Sequence, residues 1–256
     1  MTCRIFSTLL MSFIFFNTYA VTIKLCYPDN DAPPWQIGNG ENIFHPPGLS
    51  IDIITAAAKK IKADINIIRV PTNRVFQLLA KGEVDGVFIF SFLPERQESG
   101  VYPLLKNGEL NHKNRVASLD YHFYKNKKSK LTWDGKTLSN LNSEIGVNRG
   151  YAVIDILKKL SIPYEESKGS EILVKKVDSG RLDGLVSQSM TVDLFIRKLK
   201  AKNLIKLSPP VISKDYFLVF GKSFYEKNKI LCEKFWDSIG NLRDLVIKKN
   251  IVKYAN

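Results

Sequence analysis

The chain has 256 residues, of which 45% are hydrophobic and 25% charged, and its formal net charge at pH 7 is +13. This length allows one large domain or two of average size, and three cysteines are too few for a disulfide scaffold or a four-cysteine zinc site. The basic residues are spread along the chain, and their densest cluster is Lys125 to Lys130. This cluster lacks the interleaved aromatics of a protein that binds single-stranded nucleic acid, which argues against a nucleic-acid partner. The positive charge then indicates only a weak preference for anionic ligands.

Residues 1–20 have the pattern of a secretory signal peptide. Arg4 precedes an uncharged, mostly apolar segment that closes with a small residue, Ala20. The segment is too short for a good spanning helix, and no second apolar run of about 18 residues follows it. Cys3 lies before the apolar region, so nothing in the sequence indicates a lipid anchor. We therefore expect a soluble periplasmic protein that begins near Val21 and, having lost Arg4, carries a net charge one lower than +13.

Two cysteines, Cys26 and Cys232, remain after the predicted cut. They either pair as a periplasmic disulfide or stay as two buried free thiols. The pair of buried thiols is the favoured alternative, because cysteine is commonly buried without being bonded.

After the predicted cut, short strands alternate with helices. Leu49, Ile53, Ala57 and Ile61 recur every four residues, which predicts an amphipathic helix that begins at Ser50 as its N-cap. Alternation of strands and helices predicts an α/β fold with a parallel sheet and helices on its faces. The predicted elements are a strand over 22–27, a helix over 50–62, a strand over 64–70, a helix over 73–81 closed by Gly82, and a strand over 85–90.

An internal similarity joins the two halves of the chain. "LAKGEVDGVFIF" (79–90) and "KVDSGRLDGLVS" (176–187) share a helix end, a glycine and an Asp-Gly turn into an apolar strand, at a constant spacing of 98 residues. One interpretation is that helix-to-strand connections commonly use such turns. The other is two similar lobes whose strand ends face each other across a cleft.

Two strand ends carry polar residues. Ser91 and Arg96 follow the strand 85–90, and the exit of a strand in an open α/β sheet is where ligands bind, although both residues could equally be solvated. A second predicted strand, 144–147, runs into the turn "NRGY" and a helix over 152–160. Backbone N–H groups at such a helix start suit an anion.

Five segments of the chain carry a resemblance to a known family: "GLSIDIITAAAKKI", "LLAKGEVDGV", "FLPERQES", "IGVNRGYAV" and "VDSGRLDGLV". In order and spacing they resemble the corresponding segments of the family 3 extracellular solute-binding proteins. These are the periplasmic receptors of polar amino acid ABC transporters. The resemblance implies a two-lobed fold of the periplasmic-binding-protein type II class, each lobe a mixed, mostly parallel sheet flanked by helices. The implied interlobe crossings are near 118–121 and 209–215. Lobe one is then 21–119 with 214–256, and lobe two is 120–213.

The same resemblance implies a set of ligand contacts. Arg96 pairs with the ligand carboxylate through two parallel donors, and Ser91 shares that carboxylate. Asp29 lines the rim of the first lobe. In the second lobe, Asn148 and the turn from Gly150 to Ala152 touch the ligand.

Departures from the family pattern affect the other end of the ligand. Gln188 stands where amino-acid binders carry an aspartate for the α-ammonium, and Ala32 stands where a stacking aromatic is usual. Tyr27, Trp35 or Tyr151 are candidates for a replacement aromatic face. The expected ligand is therefore a small carboxylate, either an amino acid or a related compound.

The expected function is capture of this ligand by hinge closure of lobe two and delivery to an ABC permease, by a monomer. The alternatives are a stand-alone sensor or interaction protein with an altered pocket, and a periplasmic enzyme of the same fold. The sequence contains no recognisable catalytic, phosphate-binding or metal-ligand motif, so we expect no enzymatic activity, no cofactor and no metal site.

Overall fold

A computed structural model describes residues 22–254 of the chain, and the predicted signal peptide, residues 1–20, lies outside the described residues. The described chain is a mixed α/β structure. Its strands are β1 (Thr22–Pro28), β2 (Asp64–Val70), β3 (Gly86–Ser91), β4 (Gly100–Val101), β5 (Ala117–Asn126), β6 (Thr132–Trp133), β7 (Leu138–Ser139), β8 (Ile145–Asn148), β9 (Tyr164–Ser167), β10 (Gly184–Gln188), β11 (Leu204–Lys206) and β12 (Ile212–Gly221). Its helices are α1 (Leu49–Lys60), α2 (Val75–Ala80), α3 (Ile154–Lys159), α4 (Ser170–Asp178), α5 (Ser189–Leu199) and α6 (Lys222–Asn250). Short 3-10 turns span Thr72–Arg74, Pro94–Glu98, His112–Asn114 and Ile251–Lys253.

One ten-stranded mixed sheet runs through the described chain in the order β2-β1-β3-β12-β5-β10-β8-β9, with β4 on β12 and β11 on β5. Its two outer parts, β2-β1-β3 and β10-β8-β9, are parallel, as the alternation of strands and helices predicts. The centre is antiparallel, because β12 pairs in that sense with both β3 and β5, and β5 does so with β10. The mixed, mostly parallel sheet that the family resemblance implies is therefore confirmed, and its antiparallel pairs lie at the centre.

Strands β5 and β12 connect the two outer parts of the sheet. They pair with each other from Ala117 opposite Tyr216 to Tyr121 opposite Ile212. Beyond that shared stretch, β12 pairs with β3 on one side and β5 pairs with β10 on the other. Both segments predicted as interlobe crossings lie in or beside this pair, while the lobe boundaries stay a prediction.

Helix α1 begins one residue before the predicted start, and Ser50 is not its N-cap. Gly48 holds that position with φ +123°, and a Cβ there would lie 2.4 Å from the carbonyl oxygen of Trp35. The Ser50 hydroxyl donates instead to that carbonyl, at 2.6 Å. The close approach of the preceding loop thus requires glycine at the cap position and uses serine to fix the loop.

The internal similarity corresponds to equivalent structure in the two halves. Gly82 and Gly180 end α2 and α4 with φ of +69° and +74°. Gly86 and Gly184 begin the fully buried strands β3 and β10. Both halves therefore place a buried strand after the same helix end and turn, so that β3 and β10 lead to the middle of the molecule.

Helix α6, of 29 residues, covers one side of the sheet and packs on α1. Its Trp236 is fully buried and donates through Nε1 to the Leu218 carbonyl of β12, at 2.8 Å. Cys232 on the same helix and Cys26 on β1 are both buried free thiols, and burial raises the pKa of each to about 12. Of the two alternatives for the cysteines, the structure has the free thiols.

Candidate functional site

Strand β3 ends in a bulge beside the candidate site. The pairing register with β12 shifts between Phe217 and Leu218, and Ile89 opposite the shift has φ +63°. A left-handed backbone is unusual for a β-branched residue and costs on the order of 1–3 kcal/mol. The bulge bends the strand just before Ser91, so that the polar residues after it turn toward β12.

The Arg96 side chain lies against this strand end. Its Nη1 donates to the Ser91 carbonyl oxygen at 2.7 Å and to the Ser91 hydroxyl at 3.3 Å. The guanidinium carbon lies 5.3 Å from the ring centroid of Phe76 and 5.2 Å from that of Phe90. No carboxylate forms an ion pair with Arg96 anywhere in residues 22–254. The guanidinium is thus held in place by neutral groups, and its charge is free for a ligand.

Two adjoining cavities surround Arg96. The smaller has a volume of about 40 Å³ and the larger about 330 Å³. Residues that line both are Asn30, Thr72, Phe90, Arg96, Gly150 and Tyr151. Because these residues come from both outer parts of the sheet, the cavities lie between the two halves of the molecule.

Three polar side chains close one side of the smaller cavity, and we call Tyr121, Gln188 and Tyr216 the neutral cluster. Gln188 Nε2 donates to the hydroxyls of Tyr121 at 3.3 Å and of Tyr216 at 3.2 Å, and the two hydroxyls hydrogen-bond to each other. Burial raises the pKa of both tyrosines, so their hydroxyls are uncharged at neutral pH. The pairing of Tyr216 with Ser91 and of Tyr121 with Gln188 brings the two strand ends together.

The turn after β8 contributes the opposite wall. The Tyr151 hydroxyl accepts from Asn30 Nδ2 at 3.4 Å, a contact between the two halves, and its ring lies edge-on to Tyr121 at 6.2 Å. Burial raises the pKa of Tyr151. Asn148 donates through Nδ2 to the hydroxyls of Ser170 at 2.7 Å and Ser187 at 3.1 Å. Its Oδ1 is buried and accepts no hydrogen bond from the described residues, which leaves an acceptor beside the larger cavity.

The loop between β1 and α1 is held by a buried arginine, Arg69. Its Nη1 donates to the carbonyl oxygens of Ile37 and Asn42, each at 3.0 Å, and its Nη2 donates to that of Gly38. Burial lowers the pKa of Arg69, and the ring of Tyr27 lies 5.2 Å from its guanidinium carbon. This side chain orders the loop that carries Asp29, Ala32 and Trp35.

The structure brings the predicted site residues around these two cavities. Those that line the smaller cavity are Trp35, Ser91, Arg96, Gly150, Tyr151 and Gln188. Asp29 and Asn148 line the larger one. Their roles toward a ligand stay predictions. Of the candidate aromatic faces, Trp35 and Tyr151 line the smaller cavity, whereas Tyr27 is fully buried against Phe88 and lines neither.

Sequence reasoning missed several lining residues. Phe76 and Phe90 have the spacing of core positions on a helix and a strand, and nothing in that spacing shows that they flank a guanidinium. Tyr121 lies at the end of a predicted crossing, and that location is a signal that could have indicated a site between the lobes. Tyr216 follows the second crossing and reaches the site only through pairing of distant strands.

Two further observations concern the described residues as a whole. No helix among them is long and apolar enough to cross a membrane. Residues 22–254 contain no group of three or more His, Cys, Asp or Glu side chains arranged to hold a metal ion.

No family model and no curated protein matches the chain. Solved structures do match it over most of its length. A histidine kinase sensor domain with similarity to periplasmic binding proteins has a TM-score of 0.71 at 15% identity, covering 91% of this chain and 95% of that chain. An ancestral arginine-binding protein bound to arginine has a TM-score of 0.70 at 15% identity, covering 90% and 99%. The GluR0 ligand-binding core from Nostoc punctiforme, in complex with L-glutamate, has a TM-score of 0.69 at 13% identity, covering 91% and 98%. At these identities the likeness shows the fold, and the predicted two-lobed periplasmic-binding-protein fold is confirmed at that level.

Proposed function

Starting from a periplasmic-binding-protein fold, we propose that this protein is a solute-binding protein that captures a small carboxylate between its two lobes. The observation that carries the proposal is the guanidinium of Arg96. It lines both interlobe cavities, is fixed by Ser91 and two aromatic rings, and has no acidic partner among residues 22–254. A fixed guanidinium offers two parallel donors that match a carboxylate.

The surroundings of Arg96 favour a negative ligand. Lys214 on β12 has its pKa lowered by burial and by the nearby Arg96, although it lines neither cavity. The larger cavity also has Arg149 and Lys168 in its lining, against one acidic side chain, Asp29. Hydrogen bonds to a charged group are each worth about 1.5–3 kcal/mol, and Arg96 is therefore the largest single contributor we expect to ligand affinity.

The mechanism we propose is closure of one lobe on the other. Lobe one consists of residues 21–119 with 214–256, lobe two of residues 120–213, and β5 and β12 form the hinge. Ligand docks first on Arg96 and Ser91 of lobe one. Tyr151, Gly150, Asn148 and Gln188 of lobe two then close over it, and only contacts made in the closed form stabilise that form.

The cellular role that we propose is delivery of the ligand, by a periplasmic monomer, to an ABC permease. The resemblance to solute-binding proteins and the basic, apolar pattern of residues 1–20 support this role. The structural neighbours are described as binding proteins and a sensor domain, which supports binding rather than catalysis as the activity. The histidine kinase sensor domain among them makes a stand-alone sensor the second candidate.

A thermal-shift screen of the mature protein against amino acids, hydroxy acids and dicarboxylates tests the proposed binding. Arg96→Gln should strongly reduce the stabilisation by the best ligand. Arg197→Gln, at an exposed position on α5 outside both cavities, removes the same charge and should leave it unchanged. Equal stabilisation of both variants would remove Arg96 from the site.

Uptake in intact cells separates the two candidate roles. Deletion of the gene should abolish uptake of the identified ligand if the protein serves a transporter. Unchanged uptake, together with altered transcription in response to the ligand, would favour the sensor.

A further inference from the structure

Resting on the proposed function, we propose that the site selects 2-hydroxy carboxylates over the 2-amino acids of the same carbon skeleton. Three features of the cavities carry this inference: the charge of their lining, the chemistry of the neutral cluster, and an unpaired donor in the wall.

The charge of the smaller cavity comes from one residue. Among the described side chains that line it, Arg96 is the sole charged group. A carboxylate bound there neutralises the charge of the chamber. An ammonium on the adjacent carbon would restore a positive charge close to the guanidinium, with no acid in the lining to compensate it.

The neutral cluster provides hydrogen bonds without charge. Gln188 is 7% exposed, Tyr216 6% and Tyr121 1%, so these groups meet a ligand largely away from water. Phenolic hydroxyls and an amide both donate and accept, which suits a ligand hydroxyl. An ammonium loses strong hydration on entry, and neutral acceptors recover less of that loss than a carboxylate partner would.

The wall of the cavity contains a further unpaired donor. Trp35 is 4% exposed and lines the smaller cavity, and its Nε1 has no hydrogen-bond partner among residues 22–254. An indole N–H can donate to a hydroxyl or carboxylate oxygen but cannot accept from an ammonium. Of the polar groups around the chamber, this indole N–H therefore favours an oxygen over a charged nitrogen as its partner.

Asp29 is the one acidic side chain in the lining of either cavity. It lines the larger cavity but not the smaller one, and Arg96, Arg149 and Lys168 line the same larger cavity. It also lies close enough to the buried Arg69 to act on the pKa of that guanidinium. With three cations against this one carboxylate in its lining, the larger cavity as a whole remains positive.

Isothermal titration of the wild-type protein with matched pairs tests the inference. Suitable pairs are lactate and alanine, malate and aspartate, 2-hydroxyglutarate and glutamate, and 3-phenyllactate and phenylalanine, with both enantiomers of each. In the pair that fits the cavity, the hydroxy acid should bind at least about tenfold more tightly, equivalent to about 1.4 kcal/mol. Equal or tighter binding of the amino acid overturns the inference and leaves the proposed function standing. Failure of every carboxylate to bind overturns the proposed function itself.

A charge-changing variant makes the test specific to the neutral cluster. Gln188→Glu keeps the shape of the side chain and adds the missing carboxylate, so the ratio of hydroxy-acid to amino-acid affinity should fall by about tenfold or more. Gln77→Glu, at an exposed position of α2 outside both cavities, is the matched control and should leave the ratio unchanged. A ratio that does not change in Gln188→Glu, in protein shown by its unfolding midpoint to be folded, contradicts the role assigned to the cluster.

Discussion

Replacement of Arg69 by methionine should loosen the loop between β1 and α1 and destabilise the protein. The side chain donates four hydrogen bonds, to the carbonyls of Asn30, Ile37, Gly38 and Asn42. Each bond from a charged donor contributes about 1.5–3 kcal/mol net to stability. Two effects offset part of this loss. Methionine removes the desolvation cost of a buried guanidinium, and water can hydrogen-bond to the partly buried carbonyls that lose their donor. The expected net loss in the free energy of unfolding is therefore about 2–3 kcal/mol.

Urea denaturation followed by far-UV circular dichroism measures this loss. Hydrogen exchange localises it, because the amides of Ile37 and Gly40 bond within the loop, to Pro47 and Asp29, and should exchange faster in Arg69→Met. Arg74→Met, at an exposed position, is the matched control. A change in unfolding free energy below about 0.5 kcal/mol, the size expected of an ordinary surface substitution, would refute the structural role of Arg69.

Further predictions concern a glycine, the two thiols and the bulge. Gly48→Ala should cost at least about 2 kcal/mol in unfolding free energy, because φ is +123° and the new Cβ meets the Trp35 carbonyl. Gly40→Ala, where φ is +89° and the space around a new Cβ is open, should cost less. Equal losses in the two variants would refute the clash at Gly48. Because burial raises the pKa of Cys26 and Cys232 from 9.0 to about 12, both thiols should resist a thiol reagent at pH 8 in the native protein and react fully in denaturant. The raised thiol pKa values also make the stability depend on pH. Their contribution to the free energy of unfolding is complete below pH 9 and is lost as the pH rises toward 12. The free energy of unfolding should therefore fall in that window, and it should fall less in the Cys26→Ala, Cys232→Ala double variant. Ile89→Asn should lower the strain at the bulge, because asparagine tolerates the left-handed backbone better than isoleucine. The same substitution should weaken ligand binding, because it removes an apolar group from the smaller cavity. Unchanged ligand affinity in a titration would place Ile89 outside the site.

Local parts of the fold can be predicted from the sequence. Strand β2 has the predicted bounds, since alternation of apolar residues and the flanking turns are local signals. Ser50 shows the limit of such signals, because its hydroxyl reaches Trp35 in a loop fifteen residues earlier instead of capping its own helix. The antiparallel centre of the sheet joins β3 and β5 to β12 across long sequence separations, and no local period encodes that pairing.

The candidate site can be predicted in part for the same reason. Ser91 and Gln188 end β3 and β10 and Arg96 follows β3, and strand ends are where open α/β sheets bind ligands. Tyr121 and Tyr216 join them through strand pairing near the predicted crossings, and Phe76 and Phe90 look like ordinary core residues until the guanidinium is placed between them.

A double-mutant cycle between Arg96 and the ligand carboxylate tests whether this guanidinium holds the carboxylate. The best carboxylate from the screen and its uncharged carboxamide are titrated into wild-type protein and into Arg96→Gln. Conversion to the amide should weaken binding to the wild-type protein by at least about tenfold and should have little effect on binding to the variant. The coupling energy between Arg96 and the ligand carboxylate is then at least about 1.4 kcal/mol. The same loss in both proteins, and hence no coupling, would contradict the claim that Arg96 holds the carboxylate.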